Sequence, residues 1–392
     1  MRRIATIPRD NWQQKVEAAG LVFHTPEPDS ETAGVDRPYW DESAAYEFTA
    51  EEIDQLEAAG NVLQDMCLEA AQHIIDKKRY AELDIPEAAI PAIEWAWVTS
   101  PPALYGRFDI SYNGEASPKL LEYNADTPTA LLEAAVIQWA WLEEQHPNCD
   151  QFNSIHERLI AKWQDIAPYL SKPIYFAGLD NPEDQLTLAY LRDTAEQAPL
   201  PTVPILMEEI GWNEGRRAFV DPDEQQIFSI FKLYPWEMML KEEFGPAMLE
   251  TYKDMRWIEP IWKMLFSNKG LLPILWELYP KHELLLEAHF ASSPHEMKNY
   301  VRKPLHSREG ANITVVRNGK TIAESSGPYM GPQIVQELAP EAIFPDNLKP
   351  GTNRYPVCGL WMIDQTCCGL GIRESGGPIT GNLGSFVPHY FC

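Results

Sequence analysis

The stretches LYGRFD (Leu104–Asp109) and LLEYNADT (Leu120–Thr127), on either side of Asn113-Gly114, decide how this chain is read. Each has the composition of a β-strand, and Asn-Gly between two such runs predicts a hairpin. Side chains alternate faces along a strand. Arg107 and Asp109 therefore share one face of the first arm, and Leu120, Glu122 and Asn124 share one face of the second. Folding the hairpin about Glu115 and Ala116 sets Asp109 opposite Glu122 and Arg107 opposite Asn124. Two carboxylates, an amide oxygen and a guanidinium then project from one patch of sheet. Like charges directly opposite one another destabilise a strand pair, so facing carboxylates need a cation. Hard oxygen ligands with no His or Cys nearby suit Mg2+ better than Zn2+. The plainer alternative is a solvated face on which Asp109 and Glu122 simply meet water.

Length and charge narrow the context. The 392 residues suffice for about two or three domains around a large core. No segment approaches the roughly 20 apolar residues that span a bilayer. The basic start MRRIATIPR (Met1–Arg9) is followed by no apolar run, so a signal peptide is not expected. Cys67, Cys149, Cys358, Cys367, Cys368 and Cys392 show no CxxC spacing, which predicts reduced thiols in a cytoplasmic protein. A net charge of -26 argues against nucleic acid and anionic membranes as partners. It is compatible with a cationic substrate such as a polyamine, although an acidic surface ordinarily serves solubility.

Along the chain, residues 45–80 read as an amphipathic helix with a Thr49/Glu52 capping box. Helices are expected from about Thr129 to Glu144 and over 152–170. Pro173–Gly178, a helix opened by Asn181-Pro182, and Thr202–Met207 form a β-α-β unit with parallel strands. Beyond Gly211 the pattern is one of hairpins: Arg217–Val220 with Gln226–Leu233, a turn at Asn318-Gly319, and Val357–Ile363 with Gly369–Arg373. The fold class expected is α+β with an α/β insert. Its expected parts are residues 1–170 with the metal-binding hairpin, a parallel subdomain at 171–210, and antiparallel lobes at 211–392.

Against the acidic background, the basic residues stand out. Lys232 lies in the apolar strand IFKLY (Ile230–Tyr234), where a lone lysine is unusual. Lys303 precedes a proline and leads into SREGAN (Ser307–Asn312), whose Gly310 permits backbone N–H groups to approach a phosphate. Arg373 closes GLGIR (Gly369–Arg373). Singly, each reads as a surface charge. Together with the carboxylates at 109 and 122 they offer what a nucleoside triphosphate needs.

These segments carry a resemblance. LLEYNADTP (Leu120–Pro128) resembles the Glu/Asn strand of ATP-grasp ligases, preceded by the RFD strand, and IVQEL (Ile334–Leu338) resembles their adenine-binding hinge. The Glu/Asn strand usually comes last in such enzymes and here comes first. That order is similar to the glutathionylspermidine synthetase family, as are EPIW (Glu259–Trp262), SNKG (Ser267–Gly270), LPILW (Leu272–Trp276) and RKP (Arg302–Pro304). The resemblance implies a permuted ATP-grasp fold with a small preATP-grasp-like β-α-β domain. It implies a carboxylate–amine ligase using ATP and Mg2+, with Asp109, Glu122 and Asn124 as metal ligands and Arg107 as the catalytic group on the transferring phosphoryl. Lys232, Lys303 and Arg373 would bind ATP phosphates beneath a loop containing Gly310. Gln336, Glu337 and Leu338 would frame adenine and ribose, and Thr127 and Thr129 would stand near substrate. Partners would be a small acid and an amine, in the family a glutathione-like peptide and a polyamine, acted on by a monomer or homodimer. Two departures are visible. The 392 residues leave no room for the amidase domain of bifunctional relatives, so the synthetase part alone is expected. Pro356 stands near where some relatives carry a nucleotide-binding glutamine. The rival readings are an ATP-grasp-like kinase without an amine step and a non-catalytic polyamine-binding protein of the same fold.

Overall fold

Tyr105–Ser111 and Lys119–Asn124 pair antiparallel, with Arg107 opposite Asn124 and Asp109 opposite Glu122 as the hairpin reading requires. The computed structural model describes residues 1–26, 37–340, 342–381 and 384–392. Past the carboxylate pair the register shifts, so that Ile110 faces Leu120 and Leu121 is the extra residue of a β-bulge. The turn is closed by the Asn113 side chain, which accepts from the N–H groups of Glu115 and Ala116.

This hairpin forms one side of a central antiparallel sheet. Tyr105–Ser111 pairs with Asn353–Ile363, which pairs with Thr366–Ser375, which in turn meets the short strand Ser385–Phe386. One face of the sheet is covered by the helix Ala50–Lys77, whose buried Leu56, Leu63, Cys67, Ala70 and Ile74 form the expected apolar stripe. The Thr49/Glu52 capping box is made in both directions. The helix starts there and not at residue 45. Ala44–Phe48 is instead a strand between Arg2–Ala5 and the C-terminal His389–Phe391, because four of its five side chains are buried between neighbours.

A second, fully parallel sheet runs in the order Arg256–Ile258, Ser229–Lys232, Ile174–Gly178, Thr202–Leu206. Its β-α-β unit is the expected one. The connecting helix Pro182–Gln197 is capped by Asn181, whose side chain accepts from the Asp184 N–H at 2.9 Å. The expected hairpin over Gln226–Leu233 is corrected. Only Gln226 bridges Val220, while Ser229–Lys232 enters the interior of the parallel sheet and carries it past residue 210. All four residues of that strand are buried, which suits a position covered on both faces better than a hairpin arm.

A third sheet is antiparallel, with strands Ala288–Phe290, Gln333–Glu337, Tyr300–Pro304, Thr314–Arg317 and Lys320–Glu324. The turn at Asn318-Gly319 has φ of 51° and 72°, the mirror-image geometry that matches strand twist. Leu131 to Gln145 is helical with an embedded π-turn at Glu133–Ile137. The molecule is thus a mixed α/β fold of several sheets. Among the described residues no helix is long and apolar enough to cross a membrane.

The cysteine expectation is corrected in part. Cys149 and Cys392 form a disulfide, whereas Cys67, Cys358, Cys367 and Cys368 are free and buried. Spacing could not reveal a bond that spans 243 residues of sequence. It ties the last residue to the loop behind Gln145, beside the edge where His389–Phe391 pairs with Ala44–Phe48. Closing so long a loop restricts the unfolded chain, so Cys149→Ser is expected to lower stability by about 2–4 kcal/mol. Urea denaturation of the variant and of reduced wild type should show the same loss, and peptide mapping without reductant should recover the two cysteines linked.

Candidate functional site

Alternation along the strands puts Arg107, Asp109, Glu122 and Asn124 on the face of the central sheet away from the long helix, where they border a cleft of about 740 Å³. Lys303 and Val301 of the antiparallel sheet, the loop at Arg308–Gly310, Arg373, and the start of the Pro182–Gln197 helix form its other walls.

The floor is a charge array in which every member is bonded. Arg107 grips Asp109 through Nε to Oδ1 at 2.7 Å and Nη2 to Oδ2 at 3.2 Å, and its Nη1 donates to the Thr129 carbonyl at 2.8 Å. Its guanidinium lies 5.6 Å from the centre of the Trp361 ring. Gly359 makes that path possible, since a Cβ there would fall 2.8 Å from Arg107 Cδ. Glu122 is paired with Lys269 at 2.9 Å. The Asn124 amide nitrogen donates to Asp109 Oδ2 and to Glu122 Oε1, both at 3.2 Å. The cations that the facing carboxylates require are therefore supplied by the protein itself. Burial raises the Glu122 pKa, but Lys269 and Lys303 outweigh it and hold the carboxyl down to about 2. Burial pushes the Asp109 pKa up, against the pull of Arg107.

The bulge at Leu121 has a use here. Its carbonyl accepts from Lys303 Nζ at 3.0 Å, and the same ammonium donates to Gln336 Oε1 at 2.7 Å. Gln336 in turn donates to the Leu120 carbonyl at 2.9 Å. The two hairpin carbonyls thereby fix the one buried lysine that borders the cleft from the antiparallel sheet. Burial depresses its pKa to about 8, with Lys269 acting in the same sense and Glu122 and Asp109 opposing.

The loop of Gly310 borders the cleft. Gly310 has φ +69°, and a Cβ on it would come within 2.7 Å of the Thr380 carbonyl, so only glycine fits this approach without displacement. The preceding Ser307 carbonyl accepts from Lys269 Nζ at 2.5 Å. Arg308 donates to Thr127 Oγ1 and to Glu237 Oε1, each at 2.8 Å. Arg373 donates to the Gly384 carbonyl at 3.0 Å and lies 5.1 Å from the centre of the Tyr39 ring.

Arg107, Asp109, Glu122, Asn124, Thr127, Thr129, Lys303, Gly310 and Arg373 thus converge on one cleft. Four residues expected at the nucleotide, Lys232, Gln336, Glu337 and Leu338, do not border the cleft. Lys232 is wholly enclosed and does not border the cleft. Its ammonium is 2.5 Å from Asp126 Oδ1 and 5.1 Å from the Trp236 ring centre. The expected hinge is engaged elsewhere: the Glu337 N–H donates to the Glu287 carbonyl and the Leu338 N–H to that of Asn299. Sequence reasoning also missed Lys269, Arg308 and Asp126. A signal existed for Asp126, which follows Glu122 and Asn124 at the same spacing, and Lys269 and Arg308 sit inside the quoted SNKG and SREG segments.

The Asp126–Lys232 pair is structural. Asp126 Oδ2 also accepts from the Trp236 N–H at 3.1 Å, so the pair joins the strand end after Asn124 to the parallel sheet. Removing one partner strands the other charge, and Asp126→Asn or Lys232→Met should each cost about 3–5 kcal/mol. The double variant should lose markedly less than the sum, as a urea-denaturation double-mutant cycle will report.

Residues 3–392 match the family described as "Glutathionylspermidine synthase preATP-grasp". A Haemophilus influenzae protein named "Putative acid--amine ligase" is 38% identical over 406 residues, covering 100% of both chains. The trypanothione synthetase of Crithidia fasciculata is 30% identical over 83% of this chain. The bifunctional glutathionylspermidine synthetase/amidase of Escherichia coli is 25% identical over 75% of it. The aligned regions span 53% and 51% of those two longer proteins. The chain belongs to the glutathionylspermidine synthase preATP-grasp family.

Proposed function

We propose that the protein is an ATP-dependent carboxylate–amine ligase, built on a permuted ATP-grasp fold, that forms an amide through an acyl phosphate. The observation that carries this reading is the array on one sheet face: two opposed carboxylates, an amide between them, and Arg107, Lys269 and Lys303 within the same cleft wall.

An amine cannot expel an oxide from a carboxylate at neutral pH, so the acid must first gain a leaving group. The substrate carboxylate oxygen attacks the γ-phosphorus of ATP and the bond to ADP breaks. The amine nitrogen then attacks the acyl carbon, phosphate departs with the C–O electron pair, and the nitrogen loses a proton. The chain's task is to position the reactants and stabilise the charge that develops. Arg107 is suited to the transferring phosphoryl because its planar fork matches a pair of oxygens. Lys303 and Arg373 suit the ATP phosphates, beneath the Gly310 loop, with Thr127 and Thr129 on the acid's side. Gln336 serves the nucleotide pocket by holding Lys303.

The Asp109, Glu122 and Asn124 set fits Mg2+. One amide nitrogen lies 3.2 Å from an oxygen of each carboxylate, so both oxygens face a common point, and turning the amide over would add a third hard oxygen. When bound, Mg2+ would neutralise phosphate charge at the transfer step.

An ADP-release screen of acids crossed with amines, with mass spectrometry of products, tests the reading. Glutathione with spermidine is the first combination, because a relative is named for that product. An amide dependent on both substrates is expected. ADP formation with no amine requirement would replace the ligase by a kinase.

Arg107→Lys should lower kcat by about ten- to hundredfold with little change in KM for ATP, since a paired contact made mainly in the transition state is reduced to a point charge. Steady-state kinetics at saturating acid and amine measure this. A pH dependence also follows. Lys303 is cationic below its pKa of about 8 and neutral above it. kcat/KM for ATP, which reports the free enzyme, should therefore fall roughly tenfold per unit above that pH. Lys303→Arg, permanently charged, should remove that limb of the profile.

A further inference from the structure

A second cavity, of about 760 Å³, lies behind the hairpin strand that bears Glu122 and Asn124. Tyr123, between them in sequence, turns to the opposite face and forms part of its wall. That volume is within the range of about 300–1,000 Å³ typical of small-molecule sites. The cavity shares no part of the charge array just described.

We infer that this cavity is a binding site for a planar aromatic anion. Its walls carry Trp95, Trp262 and Tyr123, whose rings offer flat apolar surface with polar edges. Its charges are unequal in compensation. Lys162 is neutralised by Asp165 and Asp364, and Lys263 by Glu259. Arg256 is half-buried in the same wall, donates through Nη1 to the Lys253 carbonyl at 3.0 Å, and has no carboxylate partner among the described residues. A guanidinium in this setting favours a carboxylate, phosphate or sulfonate.

A second, independent donor points the same way. Gln64 is 2% exposed and borders the cavity. Its Oε1 accepts from the Tyr123 hydroxyl at 2.8 Å, and its Nε2 makes no hydrogen bond to any described residue. The amide N–H2 is not among the fully enclosed polar atoms that lack a partner, so it is open to water in the cavity, and a ligand oxygen would take that water's place. Ring walls, an arginine lacking an acid and an amide donor lacking an acceptor together define the class. An aromatic carboxylate and a nucleoside monophosphate both meet it.

The probe is the fluorescent aromatic sulfonate 1-anilinonaphthalene-8-sulfonate, titrated into the whole protein with saturating Mg–ATP present to occupy the cleft. Saturable binding of one probe per chain is expected. Arg256→Ala should weaken it at least tenfold, and Ala103→Trp, which fills the cavity from its rim, should abolish it, with both variants keeping the wild-type urea midpoint. Displacement by 2-naphthoate or by AMP identifies which source of the shared chemistry the site takes. Absence of saturable binding, binding that Mg–ATP displaces and both variants leave unchanged, or failure of both competitors would each overturn the inference. Should Arg256→Ala not fold, Ala103→Trp alone decides between the cavity and any other location.

Discussion

Two carboxylates face each other across a hairpin, and the surrounding structure is arranged around keeping both in place. Asp109 and Glu122 would repel if left alone in a partly dehydrated cleft. Arg107, from the same strand as Asp109, answers the first, and Lys269, from the turn before the helix Leu271–Leu278, answers the second. Each counter-charge has a second tether. Arg107 donates to the Thr129 carbonyl, and Lys269 donates to that of Ser307 in the loop that leads to Gly310. The sheet, the turn and the loop are thus joined by one balance of charge. A ligand that changes that balance acts on all three at once.

How much of this could be seen in the sequence depends on the range of the interaction. The hairpin was legible from Asn-Gly between two strand-like runs, and its register from folding about Glu115 and Ala116; a two-residue Asn113-Gly114 turn would have set Asp109 opposite Pro118 instead of Glu122. The bulge at Leu121 was not, since its reason lies in Lys303, 182 residues away in sequence. The β-α-β unit was legible from the Asn181-Pro182 cap. The placement of Ser229–Lys232 was not, because a short buried run looks alike in a hairpin and in a parallel sheet until its neighbours are known. The Cys149–Cys392 bond belongs to the same class of long-range facts.

Lys232 shows the limit of arguing from residue type. A lysine in an apolar strand does signal a special environment, and the structure supplies one. Nothing in the strand says whether its partner is a phosphate or a carboxylate of the same chain. The deciding residue, Asp126, follows two places after Asn124, just past the end of its strand. A buried cation must first be sought a partner among the acids of its own chain, and only then among ligands.

The net charge of -26 describes the surface and is the wrong guide to the site. Lys232, Lys263, Lys269 and Lys303 are all buried, although lysine is among the residues least often found inside a protein. Each is held by a carboxylate or a carbonyl: Asp126, Glu259, Glu122 and Leu121 respectively. Withdrawing cations into the interior leaves the exterior acidic, while Lys303 borders the cleft and Lys269 pairs with Glu122 on its floor. Inside, with less water to screen them, these few charges act more strongly on an anion than the more numerous exposed acids do. Bulk composition therefore describes the exterior, whereas the floor of the cleft sets three cations, Arg107, Lys269 and Lys303, beside two carboxylates, Asp109 and Glu122.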